Sequence, residues 1–314
     1  MKRCVAVLGP GRSGTSITMK LLHATGLRLS AELVPASLDN PDGHFEDTRI
    51  RDAHQRLLQS LRLSPYLPRP DDWMIGSTYR ATRSDLIAIV TDEVGQGPGL
   101  WGFKEPRICV LWPLWQEVFD ATNVTPTVVF CVRDSRDVIR SMMKAYDLPQ
   151  DVAEGIYLYR TFHALEDVSE GWFFVTYNDW LTQAERQLRS LTAYCGLEHD
   201  AIDYGAIVAT HYRPELDRQS RDAQFDVSGA IAEIDRLLSP FSGTSYDQEA
   251  IDAWCRSIEN RRLRLRVRRY RSKAVGANAA FGPCGVAPGP TAPRAIAALT
   301  LHEPTVRPPP HAAS

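Results

Sequence analysis

The stretch Val5-Ala6-Val7-Leu8-Gly9-Pro10-Gly11-Arg12-Ser13-Gly14-Thr15-Ser16 restricts this chain more than any other. Its apolar, β-branched opening has no polar alternation, which is the pattern of a parallel strand buried on both faces. Gly-Pro-Gly then turns the chain sharply into a helix continued by Ile17, Leu21 and Leu22. Such a corner is a phosphate cradle. Glycines let backbone N–H groups converge on an anion, the helix start adds unpaired N–H groups and a positive dipole end, and Arg12, Ser13, Thr15 and Ser16 bring side-chain donors. The alternative is an ordinary strand-turn-helix whose glycines serve only the turn.

Gly9 and Gly14 stand at the separation of the nucleotide-triphosphatase loop Gly-x-x-x-x-Gly-Lys-Ser/Thr, but Thr15 occupies the lysine position. Nothing there reaches a γ-phosphate. A smaller or differently charged 5′-phosphate suits this cradle better than ATP.

The chain has 314 residues with 44% hydrophobic content, enough for one large α/β domain or two small ones. A formal charge of −2 gives no basis for nucleic-acid binding, so any anion site must be local. Cys4, Cys109, Cys131, Cys195, Cys255 and Cys284 form no close pairs and lie mostly in apolar strings, which predicts reduced thiols and neither a zinc site nor a disulfide frame. The apolar run after Met1-Lys2-Arg3 stops at Gly9, too soon for a signal sequence, and no run reaches membrane-spanning length. The expectation is a soluble, cytoplasmic protein.

Further along, Asn40-Pro41-Asp42-Gly43-His44-Phe45-Glu46-Asp47 carries two turn signals and precedes a helix with Ile50, Ala53, Leu57, Leu58 and Leu61 on one face. Glu46 and Asp47 stand at the entrance of that helix, where acids also complement its dipole. Residues Ser64 to Thr82, proline-rich and broken by Trp73 and Tyr79, are expected to form an irregular loop contributing to an acceptor pocket. Leu86 to Val94 has helical spacing, and Leu100 to Phe103 is a short strand that delivers Lys104-Glu105-Pro106-Arg107 to its C-terminal end, where open α/β sheets bind ligands. The helix after it, with Pro113 near its start, carries an aromatic stripe of Trp112, Trp115 and Phe119 that fits a core.

Thr127 to Val132 is a second fully apolar strand, with Arg133 at its tip and Ser141 early on a helix from Val138 to about Tyr146. Both can face one anion. The structural alternative is an ion pair for Arg133 and a solvated position for Ser141. Trp172 to Tyr177 is a third strand, followed by a capping box, Thr182 to Glu185, and a helix that Gly196 can close. Strands separated by helices imply βαβ units and a parallel sheet. Helices are also expected at Ile231 to Leu238 and from Asp247, the latter running into the basic stretch Arg261 to Arg271, a solvated face or a contact for a polyanion. From Ala274 the chain turns to Ala, Gly and Pro, a composition that predicts disorder over 274–314 and leaves 1–273 as one α/β domain.

Taken together, these sites resemble the sulfotransferases that use 3′-phosphoadenosine-5′-phosphosulfate (PAPS). Gly11-Arg12-Ser13-Gly14-Thr15-Ser16 is similar to that family's 5′-phosphosulfate loop, and Arg133 with Ser141 eight residues on is similar to its 3′-phosphate element. Asn40 to Glu46 and Trp101 to Arg107 resemble a bacterial-type subgroup, and Tyr177-Asn178-Asp179-Trp180-Leu181 occupies the place of the family's Tyr-Glu-Asp-Leu stretch. The resemblance covers roughly residues 4 to 200.

The resemblance implies a P-loop-type three-layer α/β/α fold around a central parallel sheet. It also implies metal-free transfer of a sulfuryl group from PAPS, leaving PAP, to a hydroxyl or amine of a small-molecule, glycan or natural-product acceptor. Gly11, Arg12, Ser13, Gly14, Thr15 and Ser16 would hold the 5′-phosphosulfate, Arg133 and Ser141 the 3′-phosphate, and Tyr177 would lie near the adenine or in the core. Glu46 would be the base, with His44 and Asp47 as the other choices, and Lys104 and Arg12 would steady the transferring group. Cytosolic small-molecule members carry a histidine base in Lys-Thr-His-Leu-Pro, where this chain has Lys104-Glu105-Pro106, and their Arg-Lys-Gly element is not evident here. The other readings are a P-loop small-molecule kinase and a non-catalytic nucleotide-binding scaffold on the same fold.

Overall fold

The computed structural model describes residues 2–37, 40–61, 72–167, 172–212 and 225–238. The four apolar runs are strands: β1 (Lys2–Leu8), β2 (Trp101–Lys104), β3 (Val124–Val132) and β4 (Phe173–Thr176). They form one all-parallel sheet in the order β2-β1-β3-β4. Around them stand α1 (Thr15–Ala24), α2 (Thr48–Ser60), α3 (Ser77–Gly95), α4 (Ile108–Thr122), α5 (Ser135–Tyr146), α6 (Gln150–Glu166), α7 (Tyr177–Cys195), α8 (Tyr204–His211) and α9 (Gly229–Leu238).

Strand side chains alternate between faces, and each face has its own apolar layer. Cys4, Ala6 and Leu8 of β1 pack with Phe103, Phe130 and Phe174 against α2, α3, α4, α5, α6 and α9. Val5 and Val7 pack with Val129, Cys131 and Val175 against α1, α7 and α8. This is the expected three-layer α/β/α arrangement. The aromatic stripe is core, as its spacing predicts: Phe103 stacks on Trp101 at 4.7 Å and on Trp115 at 4.5 Å between ring centroids. Such a pair adds about 0.5–1.5 kcal/mol beyond the area it buries. On the opposite face of β2, Gly102 lies against Leu27, where a Cβ would come within 2.4 Å of Leu27 Cδ2.

Register sets the rim of the sheet. Val7 pairs with Lys104, Leu8 with Phe130, and Val132 with Thr176. The strand ends therefore deliver Lys104, Gly9, Arg133 and Tyr177 side by side along one edge. Because β1 is flanked by β2 on one side and β3 on the other, the chain changes direction across it, and a crevice at the C-terminal strand ends follows.

Two expectations need correction. Residues 77–82 are the first turns of α3, and Trp73 and Tyr79 are buried in an edge-to-face pair, so this half of the predicted acceptor loop is core. Its apolar residues had helical partners that the proline-rich run before them obscured. Nor does a capping box at Thr182 open α7: the helix starts at Tyr177 with Thr176 as N-cap, its hydroxyl accepting from Asp179 N, and Gln183 sits at a kink. Gly196 does close it, in the left-handed conformation. Residues 64–71, the helix expected from Asp247, the basic run 261–271 and the tail 274–314 lie outside the described residues. Cys4, Cys109, Cys131 and Cys195 are free and buried. No helix among the described residues is long and apolar enough to cross a membrane.

Candidate active site

The β1–α1 corner is built by steric necessity. A Cβ on Gly9 would lie 2.4 Å from Ser13 Oγ and 2.8 Å from Thr15 Cγ2, and Gly11 and Gly14 take left-handed φ values of 83° and 95°. Helix α1 opens at Thr15 behind Gly14, whose N-cap position brings no side-chain acceptor. The first-turn N–H groups of such a helix lack intrahelical partners and carry its positive end. Arg12 is also left-handed, at φ 60°, a conformation that costs a non-glycine residue of order 1–3 kcal/mol and must be imposed by its surroundings. Phe45, at φ 57°, is the other such residue on the same cleft, whereas Asn123 and Asp147 simply cap helices.

The β3–α5 corner reaches across to this loop. Arg12 Nε donates to Ser141 Oγ at 2.9 Å, and Arg133 Nη1 donates to the Arg12 carbonyl at 3.3 Å. Asp134 caps α5 by accepting from Arg136 N, and Asp137 stands 4.0 Å from Arg133 Nε, which steadies the guanidinium without removing it from the cleft. Tyr177 lies under Arg133, 3.9 Å from its Cζ, and bears on Gly14, where a Cβ would be 2.8 Å from Tyr177 Cδ2. The two predicted anion corners thus form one wall. Arg133 joins them directly.

On the facing side, the turn from Asn40 to Glu46 is clasped to α1. Asn40 Nδ2 donates to Ser16 Oγ at 3.2 Å and to the Gly43 carbonyl at 2.7 Å, and Lys20 Nζ donates to Asp42 Oδ2 at 2.7 Å. His44 Nε2 is bonded to Ser37 Oγ at 2.8 Å. Asp47 is the N-cap of α2, accepting from Arg49 N and Ile50 N, and its side chain also holds the Arg49 guanidinium. The dipole-complement role therefore describes Asp47, while its neighbour Glu46 turns toward the cleft and accepts from Lys104 Nζ at 2.5 Å, with side-chain exposures of 10% and 3%.

Lys104 does not pair with its sequence neighbour Glu105. Successive residues at a strand end point to opposite sides, so Glu105 turns into the core. There it accepts from Arg107 Nη1 at 2.6 Å and Arg107 N at 3.0 Å, and meets His54 Nδ1 at 2.5 Å. Trp115 Nε1 donates to His54 Nε2 at 3.0 Å, so Nδ1 is the ring nitrogen that donates to Glu105. Burial alone would raise the Glu105 carboxyl; the charge of Arg107, the His54 hydrogen bond and the more distant charge of Arg160 outweigh it and hold the carboxyl down at about 2.

These parts surround one cleft of about 410 Å³. Gly11, Arg12, Gly14, Thr15, Ser16, Glu46, Lys104, Arg133, Ser141 and Tyr177 all line it, as does His44. Ser13 is the exception: its side chain folds back over Gly9, buried and without a hydrogen-bond partner among the described residues, so its hydroxyl is not presented to the cleft. Residues 72–82 contribute nothing to the lining. Lys20, Lys144 and Tyr212 line the cleft without having been singled out from sequence. Lys144 could have been found, since it follows Ser141 by three residues on the same helix face. Among the described residues no group of His, Cys, Asp and Glu is placed to hold a metal ion.

No family model matches the sequence, and no curated protein matches it. Solved structures similar to this one include the sulfotransferase domain from the curacin biosynthetic pathway, with 12% identity over 76% of this chain and 98% of that one and a TM-score of 0.44. Another is the sulfotransferase domain of the Synechococcus PCC 7002 olefin synthase, with 18% identity over 75% and 87% of the two chains and a TM-score of 0.44. A third is a mouse sulfotransferase in complex with PAP, with 10% identity over 72% and 70% and a TM-score of 0.39.

Proposed function

We propose that the protein transfers a sulfuryl group from PAPS to a hydroxyl or amine of a small-molecule, glycan or natural-product acceptor. The observation that carries this reading is the junction of two anion corners on one wall, with Arg12 bonded to Ser141 and Arg133 bonded to the Arg12 carbonyl. One doubly phosphorylated adenosine can be gripped there at both ends. The residues fit such a donor: Gly11 and Gly14 present no Cβ to the cleft, the start of α1 offers N–H groups, and five cationic side chains, Arg12, Lys20, Lys104, Arg133 and Lys144, line it.

In the proposed chemistry Glu46 accepts the acceptor's O–H or N–H proton as the acceptor atom bonds to sulfur. The bond from sulfur to the bridging oxygen of the 5′-phosphate breaks at the same time, and its electron pair stays on that oxygen. Lys104 donates a hydrogen bond to the oxygen as charge builds on it, with Arg12 and the loop N–H groups holding the phosphate. Glu46 and Lys104 pair at 2.5 Å in the structure, and the Lys104 ammonium has two further N–H groups to offer the developing charge.

The test is thermal-shift titration with PAP, ADP and AMP on wild type and Arg133→Ala. Expected is selective stabilisation by PAP, lost in the variant. Equal responses to ADP and PAP in the wild type would remove the reading.

A further inference from the structure

The phosphate loop is held from behind as well as from the cleft. Arg160, on α6, is buried with 7% of its surface exposed, and its Nη1 donates to the Pro10 carbonyl at 3.1 Å. Among the described residues that is its one hydrogen bond, its Nε has none, and no carboxylate stands within 4.0 Å of it. Glu105, the acid whose ionised state Arg160 favours, is already engaged by Arg107 and His54. A guanidinium taken out of water without a paired anion is costly, so a chain that keeps one there needs a counter-charge. The separation from the cleft is one peptide thick. Gly11 lines the cleft, and a Cβ on it would fall 2.9 Å from Arg160 Nη1.

We propose that Arg160 is a positioning residue for the donor's 5′-phosphate: it fixes the Pro10 carbonyl, and with it the left-handed Gly11–Arg12 turn, and it supplies through the loop a positive charge that the bound phosphate balances. This rests on the PAPS reading above. Arg160 touches neither donor nor acceptor; it acts through the loop backbone and through a low-dielectric gap, where charge is poorly screened.

The experiment is calorimetric titration of the full chain, as wild type, Arg160→Gln and Arg160→Lys, with two probes: PAP, and adenosine 3′-monophosphate, which lacks the 5′-phosphate. Arg160→Gln is expected to weaken PAP by about 10- to 100-fold, the range for one lost charge-assisted interaction, and to leave the 3′-monophosphate within about twofold. Arg160→Lys, keeping the charge without the planar fork, is expected to give an intermediate ratio of the two affinities. A ratio unchanged in both variants, or a parallel loss for both probes, overturns the proposal. If Arg160→Gln does not fold, Arg160→Lys decides alone: a lowered ratio supports the proposal and an unchanged one ends it. A wild type that binds PAP no better than ADP defeats the PAPS reading first, whatever the variants do.

Discussion

Lys104→Met, Glu46→Gln and the double variant test the contact at the centre of the proposed chemistry. The Lys104 ammonium and Glu46 carboxylate meet at 2.5 Å with side chains 3% and 10% exposed, so each desolvates the other's surroundings. Removing one member of a buried pair costs about 3–5 kcal/mol, most of it the penalty on the charge left behind. Glu46 opens on the cleft and water can reach it, which places Lys104→Met at the low end, about 3 kcal/mol. In a chain of this size that is a fall in Tm of about 4–6 °C. Glu46→Gln keeps an oxygen acceptor for Lys104 and should cost less, about 1–2 kcal/mol. The double variant removes both charges and should be more stable than the two single losses predict. Differential scanning fluorimetry and denaturant titration read these values. PAPS turnover with 4-nitrophenol as acceptor probe adds the kinetic arm, with kcat lowered by about 10²–10⁴ in Glu46→Gln while PAP affinity holds. Strict additivity in the double variant, or a Lys104→Met protein as stable as wild type, would refute the idea that these groups are coupled.

Two further outcomes follow from the core. Glu105 is held at about 2, well below its ordinary 4.5, so its contribution to stability is complete above pH 4.5 and is lost as pH falls toward 2; wild type should lose Tm across that window more steeply than Glu105→Gln, and parallel slopes would contradict the buried Arg107–His54 network. Gly102→Ala places a Cβ 2.4 Å from Leu27 Cδ2, and Leu27 is itself buried, so overpacking should cost about 1–3 kcal/mol in denaturant titration; a neutral result would mean that the contact between β2 and Leu27 yields.

The sheet was legible because its strands are apolar runs, three of them ending at glycine or charge, and the register that follows lines up Lys104, Gly9, Arg133 and Tyr177 without help from the loops. The joining of Arg12 to Ser141 was less accessible, since it depends on a left-handed arginine that no propensity favours. The orientation of Ser13 was not legible either: neighbouring loop residues offer identical hydroxyls, and only the three-dimensional curl sends one inward. Arg160 left a trace, a lone charge within the apolar string Tyr157 to Phe162, but its counterpart is a backbone carbonyl of residue 10, and a main-chain acceptor has no sequence signature. His54 was equally hidden, because its partners Trp115 and Glu105 belong to separate elements that meet only after the core closes.

The clasp of Ser16 with Asn40, and of Lys20 with Asp42, has a mechanical consequence. The segment bearing the proposed proton acceptor hangs from the very helix whose opening turn receives the donor, so the two halves of the reaction share one rigid strut. Alignment of attacking atom, sulfur and departing oxygen is then written into ten residues of α1 and needs no large closure of one lobe upon another.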